Sequence, residues 1–125
     1  MWTMFFALGS IFSAAAVGLG AFAAHGLKGR LTPEDMTIFE TASRYLTTQS
    51  LGILVFALLM TRIDHSALKL GALALALGVV IFSGSLYLLV FTGIRTFGAI
   101  TPIGGSLLIA GWLLGCWSAL SANWQ

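Results

Sequence analysis

Charged side chains are so sparse in this chain that they divide it into four long uncharged segments, and these segments constrain the fold. The segments predicted to cross a membrane are residues 2–24, 45–61, 70–92 and 99–120. A bilayer core takes about 20 helical residues, and one charge at its centre costs about 2.5–3.5 kcal/mol, so charges should mark the loops. Membrane-spanning strands would need alternation with period two, which is missing. We therefore predict an all-α integral membrane protein, with four transmembrane helices in a compact bundle and residues 1–125 as a single domain.

The composition excludes several classes of soluble protein. Hydrophobic residues make up 58% of the chain and charged residues only 8%, against about 25% charged in a soluble domain. The six basic side chains are spread over three loops without a cluster suited to phosphates, so we expect the lipid bilayer, and no nucleic acid, as a partner. The single cysteine, Cys116, excludes an intrachain disulfide.

The second helix is predicted to begin outside the membrane. Thr32 can cap it, Pro33 suits its first position, and the acidic residues that follow meet the positive end of the helix dipole. Residues 33–44 should then form an interfacial extension of the span. Within it, Glu40 and Arg44 have the spacing of a helical ion pair, and we expect them to pair. The first helix is expected to end at Gly26.

The basic residues also predict an orientation. Those on one side are Lys28, Arg30, Arg44 and Arg95, and those on the other are Arg62 and Lys69. Because cytoplasmic loops carry an excess of Lys and Arg, the first side is predicted to be cytoplasmic, with both termini outside. His25 and His65 then lie on opposite faces, about 30 Å apart, so one protomer cannot join them through a metal or a haem. We expect no metal site and no cofactor.

Small residues recur at helical spacing in three of the spans, which favours close packing of helices in lipid. In the first span, Ser10, Ala14 and Gly18 follow one another at four-residue steps. The glycines predicted to pack helices together are Gly18, Gly71, Gly78, Gly104, Gly111 and Gly115. Four helices do not need this many glycine faces internally, so some of them are expected to form an oligomer interface.

Polar residues within the spans are mainly hydroxyls, which ordinarily donate to the backbone one turn earlier. No ionisable residue is predicted at mid-membrane, where ion-coupled transport usually needs one. Residues 98–105 are more unusual, because Pro102 removes a backbone donor and two glycines follow it. This segment predicts either a broken helix beside a pocket facing Ser83 and Ser85, or a helix that starts at Pro102. The sequence has no Ser-His-Asp order and no glycine-rich phosphate loop, so we expect no enzyme.

Three motifs resemble one known family. They are Gly18-Leu19-Gly20-Ala21-Phe22-Ala23-Ala24-His25-Gly26-Leu27-Lys28, then Phe82-Ser83-Gly84-Ser85-Leu86-Tyr87-Leu88, then residues 98–105 with Gly111-Trp112. They resemble signatures of small bacterial inner-membrane proteins catalogued as domain of unknown function number 423, the YgdD-like and YwdK-like proteins. Phe39, Thr41-Ala42 and Tyr45 fit the second helix of that family.

The resemblance implies a multi-pass fold in a bacterial inner membrane and no assigned activity. The residues where it implies a family function are His25, Glu40, Arg44, Tyr45, Ser83, Ser85, Tyr87, Thr101 and Pro102. Family members often carry a histidine four residues after the second-helix tyrosine, where this chain has Gln49.

Short loops, uncharged spans and an excess of small-residue faces predict a non-catalytic accessory or stabilising subunit. It would act through helix–helix contacts, with another membrane protein or a second copy of itself as the partner. The alternative is a homo-oligomeric pore or carrier for a neutral solute or lipid, and a haem or quinone site is a third interpretation.

Overall fold

A computed structural model describes residues 1–124, which form four long helices joined by short connections. Helix α1 covers Trp2–Phe22 and continues into a π-helical turn, Ala23–Leu27, which we call the π-turn. The others are α2 (Pro33–Leu59), α3 (Ser66–Thr92) and α4 (Phe97–Ser121). The predicted all-helical class is confirmed for this part of the chain.

Three of the four predicted spans meet the requirements of length and composition for crossing a membrane. They are Trp2–Leu27, Ser66–Thr92 and Phe97–Ser121. Helix α2 is long enough but not among the three, because its charged residues extend as far as Arg44 and polar residues 47–50 follow them. The chain is thus a multi-pass membrane protein.

The beginning of α2 forms as predicted. Thr32 Oγ1 accepts a hydrogen bond from the backbone N–H of Asp35 at 3.1 Å, and Pro33 occupies the first helical position. This cap satisfies one of the donors that a helix start leaves unpaired.

Two other predicted helix ends are wrong. Gly26 does not end the first helix but lies inside the π-turn, and the chain turns at Gly29, whose φ of 80° suits glycine. Helix α4 begins at Phe97 and runs through Pro102 without interruption. Because proline removes only one hydrogen bond there, to the carbonyl of Gly98, neither a helix start nor a break forms at Pro102.

Helix α3 is the centre of the packing. It lies against α2 on one side and α4 on the other, and α1 packs mainly against α2. Side chains of α2 and α4 also meet, since the rings of Phe56 and Trp112 are 5.2 Å apart. Within residues 1–124, α1 touches α3 only slightly and makes no substantial contact with α4. The helices therefore pack as α1 on α2, α2 on α3 and α3 on α4, and one hydrophobic cluster holds buried side chains of all four, among them Phe5 of α1 and Leu108 of α4.

Backbone-to-backbone contact joins α3 to α4, through four of the predicted packing glycines. A Cβ atom added at Gly71 would lie 2.9 Å from the carbonyl oxygen of Gly111, and one at Gly78 would lie 3.0 Å from that of Gly104. No larger residue fits at these crossings without moving a helix, so the glycines permit a close approach that gains dispersion energy in lipid.

The other two predicted packing glycines behave differently from each other. Gly115 receives the ring of Phe56 from α2, since a Cβ atom there would lie 2.5 Å from Phe56 Cζ. Gly18 is exposed, and no atom lies within 4 Å of a Cβ atom built on it. Gly18 therefore does not pack against another helix among residues 1–124.

Candidate functional site

The nine predicted functional residues do not come together in one site. Four of them form hydrogen bonds within the core, two line a groove between α1 and α2, one lines a smaller groove between α2 and α4, and the other two are exposed and line neither groove.

Two hydroxyl groups of α3 connect it to α2. Buried Ser83 donates from Oγ to the carbonyl oxygen of Ala42 at 2.7 Å. One turn further along, the hydroxyl of Tyr87 lies 2.8 Å from Ser43 Oγ, and its ring meets the edge of Phe39 at 5.0 Å. Both hydroxyl groups of α3 thus find their hydrogen-bond partners on α2, and the two hydrogen bonds hold these helices together.

A third hydroxyl of α3 connects it to α4. Ser85 Oγ lies 2.5 Å from Thr101 Oγ1 and 2.9 Å from the carbonyl oxygen of Phe82. Pro102, the neighbour of Thr101, is exposed on the outside of α4. The prediction of a pocket facing both Ser83 and Ser85 is wrong, because the two side chains point to different helices and are already hydrogen-bonded.

A groove of about 560 Å³, which we call the α1–α2 groove, lies between the end of α1 and the first half of α2. It is lined by Gly20, Ala23, Ala24, Lys28, Met36, Phe39, Glu40, Ser43, Arg44 and Thr47. The space exists because only the small residues Gly20 of α1 and Ala23 and Ala24 of the π-turn face it on this side, and no atom lies within 4 Å of a Cβ atom built at Gly20. Buried Phe39 forms part of the apolar wall on the α2 side.

The charged side chains of the α1–α2 groove are Glu40, Arg44 and Lys28. All three are exposed, and within residues 1–124 none of them takes part in an ion pair. The predicted Glu40–Arg44 pair is therefore wrong. An exposed i,i+4 pair is worth only about 0.3–0.5 kcal/mol, which is too little to fix two long side chains against solvent and rotamer freedom. Sequence reasoning missed Lys28 as a member of this groove, because the π-turn that places it has no sequence signature.

Tyr45 lies in a smaller groove of about 290 Å³ between α2 and α4. Its ring is 4.5 Å from that of Phe82. Beside it, Trp112 Nε1 donates to Gln49 Oε1 at 2.7 Å. Gln49 thus serves as the acceptor for an indole N–H on a neighbouring helix.

The two histidines lie at opposite ends of the helices, as predicted. His25 is exposed in the π-turn, next to residues of the α1–α2 groove but not lining it. His65 caps α3, and its Nε2 lies 3.2 Å from Ser121 Oγ at the end of α4. Within the described residues, no group of three or more His, Cys, Asp or Glu side chains is placed to hold a metal ion.

Comparisons with known proteins find the same family that the three sequence motifs resemble. The model of a family described as a protein of unknown function (DUF423) matches residues 19–105. A UPF0382 membrane protein of Staphylococcus haemolyticus is 46% identical over 111 residues, covering 89% of this chain and 90% of that protein. UPF0382 membrane protein YwdK of Bacillus subtilis is 42% identical over 113 residues, covering 89% and 91%. No solved structure gives a significant match.

Proposed function

Because this chain belongs to the DUF423 family of membrane proteins, whose function is unknown, we propose a function from its own geometry. The protein is a non-catalytic accessory or stabilising subunit, which binds another membrane protein through the outer face of α1. In this proposal the protein catalyses no reaction, and the hydroxyl groups of Ser83, Ser85 and Tyr87 serve to link the helices of the core.

The observation that carries this proposal is an unused packing face. Helix α1 buries Phe5 and Gly9 on one side, whereas Ser10, Ala14 and Gly18 form an exposed line on the other. Ser10 Oγ donates to the carbonyl oxygen of Phe6 in its own helix at 2.9 Å, so this face offers small, satisfied side chains. Such faces are the ones through which helices associate in lipid.

The proposal includes α2 as the fourth span. Helix α2 has 27 residues, about 40 Å in length, and packs antiparallel to both neighbours. Leu54, near its end, lies against Gly9 of α1, and Phe39, near its start, lies 5.9 Å from the ring of Phe91 on α3. A helix enclosed in this way shares the membrane with its neighbours, and its polar side chains find partners in them.

The proposed membrane is a bacterial inner membrane, with both termini outside the cytoplasm. The end that carries Lys28, Arg30 and Arg95 would face the cytoplasm. A reporter fused after Gln125 should then be active outside, and a cytoplasmic signal would reverse the orientation.

Native mass spectrometry of the gently extracted protein, at its natural expression level, tests the accessory role. We expect a heteromeric mass that is lost in Gly18→Leu, because the added side chain separates the two helices. Ala110→Leu is the matched control, since it adds the same type of side chain to an exposed position on α4 and should leave the complex intact. A bare monomer, together with no partner crosslinked in native membranes, refutes the proposal.

The second candidate is a carrier for a lipid, assembled as a homo-oligomer, and the α1–α2 groove favours it over a pore for a neutral solute. In proteoliposomes, such a carrier should move a fluorescent lipid between leaflets, and Gly20→Leu should stop this by filling the groove. If the protein has a homo-oligomeric mass and moves the fluorescent lipid, the carrier function replaces the accessory role. If the Gly20→Leu variant moves the lipid as fast as the wild type, the carrier function is refuted.

A further inference from the structure

From the charges, depth and shape of the α1–α2 groove, we infer that it binds the headgroup of one ethanolamine phospholipid. Arg44 binds the phosphate and Glu40 binds the ammonium group. The inference does not depend on the accessory role, since it concerns the opposite side of α1 from the exposed line of small residues.

The first step is the sign of the charges. Glu40 and Arg44 lie one turn apart on the same helix, and among residues 1–124 neither has an ion-pair partner. A ligand that carries both a phosphate and an ammonium group satisfies both side chains at once. A headgroup with only a negative charge, such as phosphatidylglycerol, would bring an anion close to the Glu40 carboxylate and would offer it no ammonium group.

The second step is the order of the charges with depth. Glu40 is closer to the start of α2 than Arg44, and four residues of helix separate them by about 6 Å along the axis. The start of α2 is the polar end, where Glu34 and Asp35 precede the groove. In an ethanolamine phospholipid the ammonium group lies outside and the phosphate lies deeper. The carboxylate and guanidinium therefore occur in the order that this headgroup requires.

The third step is the shape of the groove. A volume of about 560 Å³ is within the range of small-molecule sites, about 300–1,000 Å³. Ala23 and Ala24 in the π-turn and Met36 and Phe39 on α2 provide apolar walls, and Thr47 lies at the deep end. The groove is open to the surroundings of the helices, so the acyl chains can leave it along α1 and α2 and remain in the bilayer.

Lys28 is the third charged group, at the end of the π-turn. Its position at the outer rim gives the groove a second positive charge, which attracts any phosphate-bearing lipid. Preference among headgroups comes from Glu40, because its carboxylate accepts charge-assisted hydrogen bonds from the primary ammonium group of ethanolamine, whereas the trimethylammonium group of choline has no N–H donor and a glycerol hydroxyl has no charge.

The test is lipid retention by the full chain in nanodiscs of phosphatidylcholine that contain equal small amounts of phosphatidylethanolamine and phosphatidylglycerol, read by native mass spectrometry. The wild-type protein should retain phosphatidylethanolamine about tenfold better than phosphatidylglycerol, because only the first offers an ammonium group to the Glu40 carboxylate. Glu40→Gln should abolish this preference, whereas Arg44→Gln should weaken retention of both lipids.

Two glycines provide a matched pair of controls. Gly20→Leu should abolish retention of every lipid by filling the groove, and Gly18→Leu, the same change two residues earlier, should leave retention unchanged. No atom lies within 4 Å of a Cβ atom at either position, so both variants should fold. Equal retention of all three lipids, better retention of phosphatidylglycerol, or an unchanged preference in Glu40→Gln would each overturn the inference. Loss of the partner in Gly18→Leu bears only on the accessory role.

Discussion

Replacing Gly104 by alanine should force α3 and α4 apart, although the change adds only one methyl group. The new Cβ atom would lie 2.4 Å from the backbone nitrogen of Phe82 and 2.8 Å from the carbonyl oxygen of Gly78. Ordinary van der Waals contact begins at 3.4 Å, so the helices must separate by about 3.4 − 2.4 = 1.0 Å. Both obstructing atoms belong to the backbone of α3, and no rotation of a side chain can relieve the contact.

The cost follows from two opposing effects. Overpacking a tight contact costs about 1–3 kcal/mol, and the rigid backbone at Gly104 favours the upper value. The higher helix propensity of alanine relative to glycine stabilises the folded protein by about 1 kcal/mol and so offsets part of this cost. The variant should therefore lose about 2 kcal/mol of unfolding free energy, which is about a 30-fold change in the unfolding equilibrium.

Reversible unfolding in bicelles, followed by circular dichroism, measures this difference. The control is Gly84→Ala on α3, where no atom lies within 4 Å of the added Cβ atom; it should be as stable as the wild type or up to about 1 kcal/mol more stable. If Gly104→Ala is as stable as Gly84→Ala, the close crossing of α3 and α4 does not exist in the membrane and the reasoning is wrong.

Three further predictions concern polar contacts. Tyr87→Phe should lower the unfolding free energy by about 0.6 kcal/mol and at most about 1.7, the range measured for hydrogen bonds between membrane helices, in the same unfolding assay. Gln49→Leu should leave the indole N–H of Trp112 without its acceptor, and the freed N–H stretch should shift to higher frequency in an infrared or Raman spectrum. Arg95→Gln breaks a partly exposed ion pair with Asp35 at 3.8 Å, so it should cost less than about 1 kcal/mol, and less still at high salt.

Each of these predictions has an outcome that contradicts it. An unchanged stability in Tyr87→Phe would mean that its hydroxyl finds water instead of α2. A Trp112 band that does not move in Gln49→Leu would place the indole N–H elsewhere. A loss in Arg95→Gln that is insensitive to salt would indicate a buried role that the exposed guanidinium does not have.

The amino-acid sequence was sufficient to predict those features of the fold that depend on residues close together along the chain. The cap at Thr32 and Pro33 needs only four consecutive residues, and the glycines of α3 and α4 are spaced so that each series lies on one face. These patterns act through local geometry, so they survive whatever the rest of the fold does.

The features that could not be predicted depend on the balance of small energies or on distant residues. Glu40 and Arg44 have the right spacing to pair, yet the gain is too small to hold them together. Pro102 carries the signal of a helix boundary, and the contacts of α4 with α3 outweigh one lost hydrogen bond. Gln49 and Trp112 are 63 residues apart, and no sequence pattern connects them.

The polar contacts of α2 have a consequence for biosynthesis. Proteins are made from the N-terminus, so α2 is made before α3 and α4 have been translated. At that moment the carbonyl of Ala42 has no Ser83, and the amide of Gln49 has no Trp112. These two links of α2 therefore form only once translation has passed Ser83 and Trp112. The C-terminal half of the chain supplies partners that the N-terminal half needs for its polar contacts.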